Sequence, residues 1–187
     1  MPLAYLTPLP VIVLRSPAGF LSGQHLALSV NPADGATLIV DTIDTSSPWQ
    51  RWGIDQLSGR NFALWHGTGA LLVADMSSGA LSLRPNGYDA LTSRLHYATD
   101  EIWNLADESD RTLQQLAVDT GESVRQFFSG ETRARPPGFA VRPNFDYNRN
   151  LNILGDGPYQ PGSSVAAWDG WGGGDPNEVW MPVFPTS

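Results

Sequence analysis

Short apolar runs separated by turn-forming residues repeat along the whole chain. Runs at 11–14, 26–30 and 71–76 are each followed by clusters of Gly, Pro, Asn, Asp or Ser, as at 31–35. Apolar runs of this length between turn signals are typical of strands. The pattern therefore predicts a fold of many short strands, one of them at 48–54, with residues 122–128 as the stretch that could form a turn or two of helix.

The predicted strands fall into three groups that end alike. Gln50-Arg51-Trp52, Glu101-Ile102-Trp103 and Glu178-Val179-Trp180 close them, and the tryptophans are 51 and 77 residues apart. A period of this size indicates one supersecondary unit used three times, each copy unable to bury its apolar face alone. Three of the seven tryptophans standing in similar settings by chance is the alternative. The shared order of strand, turn, strand, turn, strand and Trp favours a repeat.

The repeat pattern also predicts the domain organisation. We expect one domain over 1–187, with repeats at about 10–57, 58–106 and 107–187. The third repeat is longer, and its extra length matches an insertion at 107–138. The 19 Gly and 15 Pro residues are too many turn formers for a helical bundle, and the 41% hydrophobic content is enough for a packed core.

Charge and residue types narrow the function classes. A formal net charge of −8 repels phosphate backbones, so we expect no nucleic-acid partner. No apolar run approaches the roughly 20 residues that span a bilayer, so no membrane insertion is expected. The absence of cysteine removes thiol catalysis and Cys-based metal sites, and the three histidines lack metal-ligand spacing. We therefore expect no metal and no cofactor.

The amino terminus does not have the pattern of a signal peptide. Residues 1–14 contain no Lys or Arg and are interrupted by Pro2, Pro8 and Pro10. This predicts a cytoplasmic protein or one released by a non-classical route.

The stretch 165–180 carries the clearest candidate binding chemistry. Trp168 ends an apolar run, a turn at 170–176 rich in Gly, Asp and Pro follows, and Asn177 and Glu178 come next. Such a turn would fold the two polar residues back beside Trp168. A flat aromatic wall beside polar groups suits the apolar C–H face and the hydroxyls of a sugar ring. The alternative for Trp168, judged alone, is a partly buried packing residue.

Residues 139–184 resemble a repeat of the ricin B-type β-trefoil lectins. The family pattern is Leu-Asp-Val in one strand, Val-Gln-Leu-Trp in the next, and a closing Asn-Gln-x-Trp. Here 151–153 read Leu-Asn-Ile, 165–168 read Val-Ala-Ala-Trp, and 177–180 read Asn-Glu-Val-Trp. The resemblance implies an all-β fold, a β-trefoil with three pseudo-symmetric four-stranded repeats. Its twelve strands would form a six-stranded barrel capped by three hairpins, with the closing tryptophans in the core.

The resemblance also implies sugar contacts. The sequence departs from the family at Asn152, where the family has Asp, at Ala166, where it has Gln, and at Glu178, where it has Gln. The implied contacts of the third repeat are Trp168, Asn177, Asn152, Glu178 and, supplying a carboxylate from the turn, Asp156. The implied contacts of the second repeat are Asp75, Tyr97 or His96, and Asp100. The first repeat has Ala27 for the Asp and Val40 for the aromatic residue, so no sugar site is expected there.

The function that the resemblance implies is a non-enzymatic lectin for galactose-type or N-acetylgalactosamine-type glycans. A homo-oligomer would raise the avidity of weak single sites. One alternative is a β-trefoil protease inhibitor whose bait loop is the insertion, with Arg125, Arg133 and Arg135. A protein-binding component of a toxin complex is another. The tripeptide Asp119-Thr120-Gly121 resembles the motif of aspartic proteases, but a turn after a strand explains it fully.

Overall fold

The structure, a computed structural model, describes residues 10–19, 23–57, 60–85, 97–105, 138–169 and 175–185. Within these ranges the regular elements are twelve strands and three short 3₁₀ turns. The strands are β1 Val11–Ser16, β2 Leu26–Val30, β3 Leu38–Thr42, β4 Trp52–Gln56, β5 Asn61–His66, β6 Ala70–Ala74, β7 Leu81–Pro85, β8 Trp103–Leu105, β9 Val141–Pro143, β10 Arg149–Ile153, β11 Val165–Asp169 and β12 Met181–Val183. The 3₁₀ turns are Pro48–Gln50, Thr99–Glu101 and Pro176–Glu178.

Six of the strands form a closed barrel. Antiparallel pairing links β1 to β4, β4 to β5, β5 to β8 and β8 to β9. An antiparallel bridge between Phe139 and Trp180 joins the start of β9 to the start of β12, and β12 pairs with β1. Because the ring returns to β1, the barrel leaves no long open edge, which is the usual solution for an antiparallel fold of short strands.

The other six strands form three hairpins, β2–β3, β6–β7 and β10–β11, each paired over five residue positions. The third hairpin is bonded to both of the others. Ala167 N donates to Gly79 O at 2.9 Å, and Val40 N donates to Ser163 O at 2.9 Å. A six-stranded barrel with three such hairpins is a β-trefoil, so the predicted all-β fold class is confirmed. The predicted repeat boundaries stay a prediction, and residues 107–137 of the insertion lie outside the described residues.

The closing tryptophans are core residues, as the sequence predicted. Trp52, Trp103 and Trp180 are fully buried. Each indole N–H donates to a carbonyl in the first strand of its own hairpin, and the acceptors are Leu28 at 3.3 Å, Leu72 at 3.0 Å and Leu151 at 2.7 Å. Each closing tryptophan therefore buries a large apolar ring and also supplies the hydrogen-bond donor for a buried carbonyl.

Replacing Trp180 with Phe is expected to lower the free energy of unfolding by about 2 kcal/mol, because the Leu151 carbonyl loses its donor and the ring loses volume. Urea denaturation measures the change. Trp168→Phe is the matched control, since the Trp168 indole is exposed and should change stability by less than about 0.5 kcal/mol. Equal losses in the two variants would contradict the role given to the buried hydrogen bond.

One strand prediction is wrong in its bounds. Residues 48–54 were expected to form one strand, but a 3₁₀ turn at Pro48–Gln50 precedes β4. Proline suits the first position of a helical turn, and the Ser47 side chain accepts a hydrogen bond from Trp49 N. The turn buries the Gln50 side chain, which accepts from Asp44 N at 2.8 Å and donates to Thr42 O at 2.7 Å.

In the part of the chain that the structure describes, no helix has the length and apolar character needed to cross a membrane.

Candidate functional site

The tryptophan hydrogen bonds identify equivalent positions in the three hairpins. Because Leu28, Leu72 and Leu151 accept the same bond, the residues that follow them are equivalent. Those residues are Ser29, Val73 and Asn152. The family resemblance matches Ala27 and Asp75 to Asn152 instead. Each of these two residues lies two positions from the one that the hydrogen bonds identify as equivalent.

The same alignment of the three hairpins identifies the residues equivalent to Trp168 and Asn177 in the other two repeats. Trp168 pairs with Asn150 across the third hairpin, and the equivalent pairs are Asp41 with Ala27 and Arg84 with Leu71. Three residues before each closing tryptophan stand Trp49, Asp100 and Asn177. A tryptophan at the first of these positions together with an asparagine at the second therefore occurs at the third hairpin and at neither of the others.

An open cavity of about 680 Å³ lies at this place on the third repeat. Strand β10 contributes Asn152, β11 contributes Trp168, and the third 3₁₀ turn contributes Asn177 and Glu178. The turn after β10 adds Asp156. All five predicted contacts of the third repeat thus line one cavity, whose size is within the range of small-ligand sites.

Two amides form the polar floor of the cavity. Asn177 Nδ2 donates to Asn152 Oδ1 at 2.6 Å and to Ile153 O at 3.1 Å. Asn152 is 5% exposed. Among the described residues, Asn152 Nδ2 and Asn177 Oδ1 have no further hydrogen-bond partner. One donor and one acceptor on linked amides are thereby left for a group that can both accept and donate, as a hydroxyl does.

Trp168 provides an aromatic wall of the same cavity. Trp168 is 55% exposed, although the three residues that precede it in β11 are buried. Tyr159 forms a second wall, partly buried, with its hydroxyl donating to Gly155 O at 2.8 Å. Burial raises the pKa of Tyr159, and the nearby Asp156, Asp175 and Glu178 raise it further.

The loop between β10 and β11 is held in place by backbone hydrogen bonds. Leu154 N donates to Ser164 O at 2.9 Å, which closes the base of the loop. Gly162 N donates to Val40 O at 2.8 Å, which fixes the loop against β3 of the first hairpin. The walls of the cavity are therefore positioned before any ligand binds, which lowers the entropy lost on binding.

Glu178 belongs to a buried hydrogen-bond network next to the cavity. Its side chain is buried, and Asn150 Nδ2 donates to Glu178 Oε2 at 3.4 Å. Asn150 is itself buried and accepts from Arg142 Nε at 3.1 Å. The Glu therefore belongs to a buried network that connects the 3₁₀ turn to β10 and β9, and it positions Asn177 next to it in sequence.

The predicted contacts of the second repeat lie in separate local networks. Asp75 Oδ1 accepts from the backbone and hydroxyl groups of Ser77 and Ser78, and these bonds lower its pKa well below the usual range. The carboxylate thus stabilises the turn between β6 and β7.

Tyr97 and Asp100 also have partners of their own. The Tyr97 hydroxyl donates to Asp55 and accepts from Trp65 Nε1 at 3.1 Å, and burial followed by the bond to Asp55 raises the pKa of Tyr97. Asp100 forms an ion pair with Arg84 at 2.5 Å. No hydrogen bond or ion pair joins Asp75, Tyr97 and Asp100 to one another in the described ranges, and His96 lies outside them.

The cavity residues that sequence reasoning missed include Tyr159, Asp169 and Asp175. Tyr159 stands in Gly-Pro-Tyr-Gln-Pro, and an aromatic residue among turn formers is the signal that could have identified it. Asp169 directly follows Trp168, and Asp175 had been assigned to the turn. The described residues contain no group of three or more His, Asp or Glu side chains arranged to hold a metal ion.

The barrel, the three capping hairpins and the buried closing tryptophans define a β-trefoil. Solved structures share this fold across nearly the whole chain. A designed threefold-symmetric protein, ThreeFoil, aligns with a TM-score of 0.60 and 16% identity over 93% of this chain and 98% of that one. A ricin B-like lectin from Macrolepiota procera, in complex with lactose, aligns with a TM-score of 0.57 and 16% identity over 95% of this chain and 96% of that one.

A larger protein contains a similar region. A mosquitocidal holotoxin aligns with a TM-score of 0.61 and 11% identity over 94% of this chain, which spans 16% of the toxin chain. No protein-family model matches the sequence, and a search of curated proteins gives no match. At these identities the structural likeness confirms the fold.

Proposed function

We propose that this protein is a lectin without enzymatic activity that binds galactose-type or N-acetylgalactosamine-type glycans in the cavity of its third repeat. The observation that carries the proposal is the exposed Trp168 indole beside the Asn152–Asn177 amide pair. We further propose that residues 1–187 form a single domain with repeats at about 10–57, 58–106 and 107–187.

The arrangement suits a pyranose ring. A galactose-type ring has one face of C–H groups, which packs on an indole and removes apolar surface from water. One ring hydroxyl can accept from Asn152 Nδ2 and donate to Asn177 Oδ1, because these atoms belong to amides already bonded to each other. Stacking and paired hydrogen bonding together orient the ring, whereas either contact alone would leave it free to rotate.

The roles of the remaining third-repeat residues follow from their positions. Asp156 is exposed in the turn after β10 and provides a charged acceptor for a second hydroxyl. Glu178 holds the floor through its buried network. The contacts of the second repeat, Asp75, Tyr97 and Asp100, are proposed from the sequence pattern alone, since the structure gives each side chain a partner elsewhere.

The comparison with solved proteins supports the choice of sugar. The Macrolepiota procera lectin shares the fold and was solved in complex with lactose, a disaccharide with a terminal galactose. A single shallow site of this kind has an affinity of about millimolar to micromolar, so a homo-oligomer or a multivalent glycan would be needed for strong binding.

A glycan array probed with the purified chain tests the proposal. We expect binding to glycans with terminal galactose or N-acetylgalactosamine, and we expect free lactose to compete for it. No binding to any glycan at a protein concentration of about 1 mM, where even a millimolar site is about half occupied, would overturn the proposal. Inhibition of trypsin-like or cysteine proteases in place of glycan binding would favour the protease-inhibitor alternative.

A further inference from the structure

The cavity of the third repeat is strongly acidic. The carboxylates of Asp156, Asp169, Asp175 and Glu178 line it, and no Lys, Arg or His is among the described residues that do so. The ion pairs found in the described residues involve Arg84 and Arg149, and neither arginine lines the cavity. Asp156, Asp169 and Asp175 are exposed and form no ion pair in these ranges, although Arg149 is the cross-strand neighbour of Asp169.

A separate observation shows that the floor is suited to a ligand. The Asn152 side chain is 5% exposed, lines the cavity, and has an Nδ2 amide group without a hydrogen-bond partner among the described residues. An oxygen atom of a molecule bound in the cavity can accept a hydrogen bond from this amide group. A ligand is therefore expected to place a hydroxyl at the amides while another part of it lies near the carboxylates.

The aromatic walls add to the preference that the carboxylates create. The faces of Trp168 and Tyr159 attract a cation through the negative face of their ring systems. A neutral sugar makes no use of this field. A sugar that carries an ammonium group uses both the field of the carboxylates and the aromatic faces.

We propose that the cavity prefers amino sugars with a free ammonium group over the same sugars with a hydroxyl or an N-acetyl group at that carbon. This inference rests on the proposed lectin function and names the ligand class of the same site. The net charge of −8 acts in the same direction, since it raises the local concentration of cationic glycans. N-acetylation removes the charge and so removes the preference.

The negative charge at the cavity also acts on the Tyr159 side chain. After burial, the carboxylates of Asp156, Asp175 and Glu178 are the causes that raise the pKa of this phenol. Acidic groups from the turn after β10 and from the third 3₁₀ turn therefore act on one point in the cavity. A ligand ammonium at that point would be attracted by all of them.

Titration calorimetry with three monosaccharides tests the preference. D-galactosamine, D-galactose and N-acetyl-D-galactosamine share one ring and differ at one substituent. At about 20 mM salt we expect galactosamine to bind about tenfold more tightly than galactose. At about 500 mM salt the ratio should fall to about two, because exposed charges are screened.

Two variants locate the charge that is responsible. The double variant Asp169→Asn/Asp175→Asn is expected to lower the galactosamine-to-galactose affinity ratio about threefold at low salt. Asp41→Asn is the matched control, since Asp41 occupies the position equivalent to Trp168 on the first hairpin and does not line the cavity. Its ratio should equal that of the unchanged protein.

The outcomes separate the two proposals. Equal affinities for galactose and galactosamine, or a ratio that the double variant leaves unchanged, would overturn the amino-sugar preference while the lectin function stands. Absence of binding by all three sugars and on the glycan array would overturn both.

Discussion

Replacing Trp168 with Ala is expected to weaken glycan binding about thirtyfold, or about 2 kcal/mol, because the stacked C–H face of the sugar loses its apolar partner. At the affinities expected for one shallow site, that loss moves binding on a glycan array to background. The folded structure should tolerate the change. The side chain is 55% exposed, so the free energy of unfolding should change by less than about 0.5 kcal/mol.

Tyr147→Ala is the matched control for this prediction. Tyr147 is also 55% exposed, but it lies in the turn between β9 and β10 and does not line the cavity. Its removal should leave glycan binding unchanged. If Trp168→Ala and Tyr147→Ala give the same glycan profile as the unchanged protein, Trp168 is not the stacking residue and the site assignment fails.

The fold could be predicted because its signals are local and occur three times. The closing tryptophans are recognisable by their spacing, and each one needs the same environment, a core position with an indole acceptor on the hairpin. The alternation of short apolar runs and turns fixes the strands to within a few residues. The 3₁₀ turn at Pro48–Gln50 was missed because Trp49 made the segment similar in composition to a strand.

The placement of Trp168 and Asn177 in one cavity of the third repeat was predictable for a related reason. Trp168 and Asn177 stand in motifs with a readable order, and the structure brings them to one cavity. The second repeat contains a pairing that cannot be found from the sequence alone. Arg84 stands at the position of Trp168 and forms an ion pair with Asp100 at the position of Asn177. Without the register of the hairpin, nothing in the sequence pairs these two residues, which are 16 positions apart.

The packing of one hairpin against another could not be predicted from the sequence. Gly79 reads as one of many turn glycines in Ser77-Ser78-Gly79. In the structure it is a point where the third hairpin lies against the second, with Ala167 N donating to Gly79 O at 2.9 Å. Nothing in the local sequence distinguishes this glycine from a glycine in an open turn.

Gly79→Ala is therefore expected to destabilise the fold by about 4 kcal/mol, through backbone strain and a collision with another hairpin. Gly79 has φ +75°, which a residue with a side chain adopts at a cost. A Cβ at this position would lie 1.9 Å from Ala167 O, and a backbone atom in a paired strand cannot move aside without breaking the hairpin register. Guanidinium or urea denaturation measures the loss.

Gly35→Ala separates the two causes. Gly35 has a similar φ of +65°, but a Cβ there would meet no atom within 4 Å. Its expected cost is the backbone strain alone, about 1 kcal/mol. The difference of about 3 kcal/mol between the variants then reports the contact between hairpins. Because Ala167 precedes Trp168, Gly79→Ala should also weaken glycan binding, whereas Gly35→Ala should not. Similar losses of stability in both variants would show that the hairpins do not depend on this close approach.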